Sequence, residues 1–157
     1  MEDMNMKKHF WALALATPLL LSACGGGSDA PADSSPADKY VGVWAAPCVD
    51  LGNGFSVVQD WTFTKTGATN LTIDADGTVH SGSSCSGKGT PANHVQGSMS
   101  INGQTAGADR VSFHLGASQF KELWLVQGAE IHMRSTGAKD AEGYPNTVGS
   151  DTVFRRK

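Results

Sequence analysis

Across residues 39–157, glycine and other turn formers interrupt the chain so often that no apolar run of helical period survives. What remains is a series of short β-branched and aromatic stretches bounded by Gly, Asn, Asp, Ser or Pro, and that punctuation selects strands. Tyr40-Val41-Gly42-Val43-Trp44 opens the series. In residues 56–65, Trp61 and Phe63 alternate with Thr62 and Thr64, so one face of the strand is apolar and the other polar. Further strands are expected around Leu71 and Ile73, at Val79 and His80, and over 95–101, 110–115, 121–126, 130–134 and 152–156.

Asp76-Gly77, Asn102-Gly103 and Gln127-Gly128 can supply the positive φ angles of tight hairpins, and Lys65-Thr66-Gly67 is a further turn candidate. About eight or nine short strands at this spacing predict an all-β domain, either a small antiparallel barrel or a sandwich of about eight strands. A barrel has the advantage of hiding its sheet edges. Residues 82–93 and 137–150 form two longer glycine-containing loops, and the first is expected at one mouth of the barrel.

The front of the chain follows different rules. Residues 10–23 are an apolar run preceded by Lys7, Lys8 and His9. A membrane-crossing helix needs about 20 apolar residues, and this run is shorter. A basic patch, a short apolar stretch and small residues at its exit are the parts of a secretory signal. The run ends in Leu21-Ser22-Ala23-Cys24, which resembles the bacterial lipobox. That resemblance implies cleavage before Cys24 and a diacylglycerol on its sulfur, hence a membrane partner reached through lipid. Gly25, where Asp would divert the protein, implies an outer-membrane destination facing the periplasm. Residues 25–38 contain Gly, Ser, Ala, Pro and Asp without one large apolar side chain. Such a segment cannot offset its ordering entropy and is expected to be a tether spanning roughly 20 Å. The organisation expected is therefore signal peptide 1–23, lipidated cysteine and tether 24–38, and domain 39–157.

Cys48 and Cys85 are the cysteines of the domain. Outside the cytoplasm an isolated pair is most simply a disulfide, the competing readings being a zinc site or a reactive thiol. Neither cysteine has the close second thiol of metal motifs. The domain carries ten Lys and Arg against ten Asp and Glu, so it is formally neutral and has no basic face for nucleic acid.

Tyr40-Val41-Gly42-Val43-Trp44 resembles the Gly-x-Trp opening strand of lipocalin-like barrels. The resemblance implies an arginine near the chain's end packed across the tryptophan, a role open to Arg155 or Arg156. More of the chain is similar to a group of small Gram-negative envelope lipoproteins without assigned activity. These share the Gly-x-Trp strand, a cysteine just after it and another past the next hairpin. They also share a strand like Lys121-Glu122-Leu123-Trp124 and an Asp-x-x-Gly-Tyr-Pro loop, here Asp140 to Pro145. This similarity implies a shared fold and an envelope location.

Few residues carry overt chemistry. Asp74-Ala75-Asp76-Gly77 looks like part of a calcium loop, but Cys85 stands where an EF-hand needs its closing acid. Asp140 and Glu142 around Gly143 raise the same suspicion, and a turn is the simpler reading of both. His80, His94, His114 and His132 lack the close pairing of zinc ligands and are expected at the surface. No G-x-S-x-G elbow occurs, and Ser98 and Ser100 lie on a strand without a visible base. The aromatic residues Trp44, Trp61, Phe63, Phe113, Trp124 and Phe154 are either the packed core or the lining of a ligand cavity. Leu123-Trp124-Leu125-Val126 is apolar on both strand faces, so that strand is either covered on both sides or offers a sticky outer patch. The reading that follows is a non-enzymatic, lipid-anchored binding or interaction module with no cofactor or metal. Its partner would be a small apolar molecule or an envelope protein. The alternatives are an enzyme whose residues meet only in three dimensions, or an inhibitor of a hydrolase such as lysozyme.

Overall fold

The computed structural model describes residues 34–157, and every regular element among them is a strand. In chain order these are β1 (Gly42–Ala45), β2 (Val49–Gly52), β3 (Phe55–Lys65), β4 (Asn70–Ser81), β5 (Thr90–Thr105) and β6 (Ala108–Leu115). They continue with β7 (Ser118–Gln127), β8 (Glu130–Met133), β9 (Thr136–Lys139), β10 (Pro145–Thr147) and β11 (Thr152–Arg156). Cys24 and the expected signal peptide lie outside the described residues.

The strands form a closed barrel and not a sandwich. Its ring runs β1-β3-β4-β5-β6-β7-β8-β11 and returns to β1, antiparallel at every step. β4 occupies one edge of β3 along its whole length, so β1 and β2 share the other edge. They are in effect one strand broken at Ala46-Pro47-Cys48, where Pro47 has no N–H to give the ladder.

Two dipeptides that read as turns lie inside strands. Asp76-Gly77 sits in the middle of β4, at a bulge against β5, and a side chain on Gly77 would meet the Ala92 methyl at 3.0 Å. Asn102-Gly103 forms another bulge within β5, with Gly103 at φ 110°. The chain reverses instead at Ala106-Gly107, where both residues have positive φ between paired Thr105 and Ala108. That is the geometry of a two-residue type I′ hairpin, with alanine in a position usually held by Asn or Asp.

Period-two alternation sends one set of side chains inward. Trp61, Phe63, Ile73, Met99, Val111, Phe113, Trp124, Ile131 and Phe154 are all buried there. Rings meet edge to face or tilted, with Trp61 5.0 Å from Phe154 and Phe113 5.1 Å from Trp124 between centroids.

One end of the barrel is sealed. Residues 36–40 form a turn in which Ala37 and Tyr40 are fully buried, so ordered structure begins ahead of Lys39. The Trp44 indole N–H donates to the Tyr40 carbonyl at 2.6 Å. The Arg156 guanidinium lies 4.3 Å over the Trp44 ring and donates to the Val41 and Lys39 carbonyls, both at 2.7 Å. Arg156, not Arg155, thus packs across the tryptophan, while Arg155 pairs with Glu130 at 2.8 Å. Beside this plug the buried Asp109 carboxylate accepts from the Tyr40 hydroxyl at 2.5 Å and Gln104 at 2.8 Å, and pairs with Lys39 at 2.6 Å. Burial, and then the bond to Asp109, push the Tyr40 phenol far above its ordinary range.

β9 and β10 form a hairpin docked on the outer wall. Its anchor is buried Tyr144, whose hydroxyl meets Ser112 and Asn102, each at 2.8 Å, under the Arg110 guanidinium 4.2 Å from the ring. Asp140 holds the loop: it accepts from the Tyr144 and Glu142 amides at 3.0 and 2.9 Å and from Arg110 at 2.6 Å. The Tyr144 amide is the largest influence keeping the Asp140 carboxyl below its usual range. Against β7, Leu123 on the outward face is as buried as Trp124 on the inward one. The strand is therefore covered on both sides and presents no outer patch at these residues.

Candidate binding site

Opposite the Tyr40 plug the barrel is open. The side chains that alternate inward run out of partners towards the ends of β6 and β8 and the starts of β3, β7 and β11. They leave a cup of about 560 Å³, a volume within the usual range of small-molecule pockets. Trp61, Phe113, Phe154 and Met133 form its floor, and Phe120 stacks on Phe113 at 4.8 Å to form part of the lip.

The strap at the mouth is covalent. Cys48 and Cys85 are joined, with their Cα atoms 5.8 Å apart, and Cys48 lines the cup. The loop between β4 and β5 folds back along β4, bringing Gly89 so close to Thr78 that an added methyl would clash. Ser56 and His80 lie buried beneath it, and the Ser56 hydroxyl accepts the Cys85 amide at 2.8 Å. His80 is therefore an interior residue, whereas His114 is exposed and His94 lies at the surface beside Asp76. The loop's glycines allow this fold-back, and the disulfide keeps it there.

The aromatic residues singled out from the sequence divide between the two halves of the barrel. Trp61 and Phe113 line the cup, as does Phe154. Trp44, Phe63 and Trp124 are fully or almost fully buried in the sealed half, where Trp124 lies 6.0 Å from both Tyr40 and Phe63. Phe120, Met133 and Glu122 belong to the cup; Glu122 lies in the Lys121-to-Trp124 stretch, but nothing in the sequence marks any of the three as a lining residue. Only their register on β7 and β8 against strands of known facing reveals them: Phe120 lies opposite Phe113, and Glu122 opposite Val111.

Glu122 is the half-buried carboxylate of the cup. One of its oxygens accepts from the Trp124 indole N–H at 2.8 Å and from the Arg134 amide at 2.9 Å. Asp50, Asp151 and the exposed residue Arg134 are also among the lining residues. Among the described residues neither serine nor histidine lines the cup, and no group of three metal-ligating side chains is assembled. Asp74 and Asp76 flank the exposed His94 ring at 3.5 and 2.7 Å, and Gln96 donates to Asp74 at 2.9 Å, a surface cluster that does not assemble a metal-holding group. The arrangement can enclose an apolar body, present ring faces to it, and offer one carboxylate oxygen at depth. No protein-family model, curated protein or solved structure matches the chain.

Proposed function

We propose that this chain is a lipid-anchored envelope lipoprotein whose barrel serves as a binding module for a small, largely apolar molecule. One observation carries the reading: the barrel is packed solid at one end and open over a floor of aromatic rings at the other. A barrel of about eight strands can be filled throughout or can hold one ligand. Here the sealed half supplies rigidity and the cup supplies apolar surface that water solvates poorly. The absence of a nucleophile–base pair among the described lining residues favours retention of a ligand over its conversion. Anchoring rests on the lipobox resemblance around Cys24.

Two measurements test the two halves of this proposal. N-phenyl-1-naphthylamine, a neutral dye made of a naphthyl and a phenyl group, should bind with a fluorescence rise and with energy transfer from Trp61 at the cup floor. No saturable binding up to millimolar dye would overturn the module. Mass spectrometry of the N-terminal peptide from membranes should find Cys24 acylated and first in the chain; an unmodified Cys24 there would refute the anchor.

A second reading has its own observation. Val49, Leu51 and Phe55 on the β2–β3 hairpin are each about half exposed beside the mouth, and such a patch suits an envelope protein, a hydrolase included. Replacement of Leu51 and Phe55 by serine would abolish that contact while leaving dye binding in place.

A further inference from the structure

We propose that the cup selects a positively charged ligand: an apolar molecule ending in a primary or secondary ammonium group, which pairs with Glu122. This rests on the binding reading above and specifies its chemistry. The inward row of β7 reads Phe120, Glu122, Trp124, Val126, so a carboxylate stands where packing alone calls for another apolar side chain. Burying a charge without a partner is costly, and the chain shows how it answers one when the partner is internal. At the sealed end, Asp109 receives Lys39, Tyr40 and Gln104. Glu122 receives two neutral donors, the Trp124 indole and the Arg134 amide, both on the same oxygen. Its other oxygen takes no hydrogen bond from the described residues, and none of their cationic side chains forms an ion pair with it.

Both donors engage one oxygen, so the second oxygen of this cup-lining carboxylate is left unengaged by the described residues. An ammonium N–H arriving there would make a charge-assisted hydrogen bond in a partly water-excluded site. The surroundings agree in sign. Among the lining residues the three acids Asp50, Glu122 and Asp151 outnumber the one base, Arg134, an excess of two negative charges. The rings of Trp61, Phe113, Phe120 and Phe154 present π-electron density that also attracts a cation. A carboxylate or phosphate ligand meets repulsion from the same groups, and a neutral one leaves Glu122 unanswered.

The test uses three ligands with one tail. Octylammonium, octanol and octanoate compete for the naphthylamine dye on the native protein at pH 7 and low salt. Octylammonium should displace it at a concentration about tenfold below octanol, and octanoate should be the weakest. N-octylacetamide, the same chain with its charge removed, should fall back to the level of octanol. Glu122→Gln keeps an acceptor for Trp124 and Arg134 but removes the charge, and should bring octylammonium to within about twofold of octanol. Equal displacement by octanol and octylammonium, or an ammonium advantage that survives Glu122→Gln, overturns the selectivity while the cup remains a binding site. If Glu122→Gln does not fold, the octylammonium and N-octylacetamide comparison on the native protein decides alone. Failure of the dye and of all octyl compounds to bind overturns the binding reading and this inference with it.

Discussion

Replacing Tyr40 by phenylalanine separates the plug's polar chemistry from its bulk. The phenol is fully buried and donates at 2.5 Å to Asp109, a carboxylate that is 1 % exposed. A hydrogen bond to a charged group contributes about 1.5–3 kcal/mol. Lys39 and Gln104 still hold Asp109 after the change, so the carboxylate is not orphaned and the loss should be about 2 kcal/mol. Urea melts followed by tryptophan fluorescence at pH 8 should show a midpoint lower by about 1 M. The pH dependence gives the sharper test. Below pH ~10 the phenol is protonated in both folded and unfolded chains, and its contribution is complete. Above that, the unfolded chain releases the proton while the folded chain, whose Tyr40 is shifted upward, retains it. Stability of the parent therefore falls by about 1.4 kcal/mol per pH unit from this group alone, and Tyr40→Phe lacks that slope. The gap between the two proteins should shrink by about 1.4 kcal/mol between pH 8 and pH 11. A gap that is constant with pH, or a variant within about 0.5 kcal/mol of the parent at pH 8, would refute a buried, protonated phenol holding Asp109.

Trp44→Ala removes a fully buried indole beneath Arg156 and should cost about 3–5 kcal/mol in the same melts. Deletion of residues 153–157 takes away Phe154, Arg156 and the pairing partner of both β1 and β8; a truncated chain that melts like the parent would remove closure through β11. Exposed His114→Ala is the control and should stay within about 0.5 kcal/mol. Reducing Cys48–Cys85, which spans 37 positions, should cost roughly 4 kcal/mol in the chain-entropy account. Alkylation of the denatured, unreduced protein should label neither cysteine, and full labelling of both would refute the bridge.

Most of the ring strands were legible in the sequence because each rests on a local pattern: alternation around Trp61 and Phe63 announces β3 wherever its neighbours lie. The arginine over Trp44 followed only from the lipocalin resemblance, which left Arg155 and Arg156 open, and the facing of β11 decides for Arg156. The turns were less legible because a bulge and a hairpin draw on the same residues. Asp76-Gly77 and Asn102-Gly103 serve strand bulges, while Ala106-Gly107 turns the chain with alanine at φ 51°. Which use a glycine dipeptide receives depends on the register of the adjoining strand, a long-range property. The docked β9–β10 hairpin was hidden for a similar reason. Its anchor is Tyr144 against Ser112, Asn102 and Arg110, residues far away in sequence that carry no shared pattern. Glu122, named only as part of the Lys121-to-Trp124 strand, could not be placed in the cup because Leu123, Trp124, Leu125 and Val126 are apolar on both faces, so the strand does not declare which parity points inward. The β6 register, with Glu122 opposite Val111, supplies that parity.

The Arg156 clasp also sets a timetable for folding. Its hydrogen bonds to Val41 and Lys39 join positions 115 and 117 residues apart. A chain made from its N-terminus can pair β3 through β8 by neighbouring hairpins, each closing a short loop at small entropic cost. Until β11 arrives, however, β8 keeps an unpaired edge, and β1 can zip only to β3. Such an edge is a template for other chains, and contacts of long sequence separation form slowly. The late-arriving C-terminal strand thus works as a latch, and the interval before it closes is when this barrel is most open to aggregation.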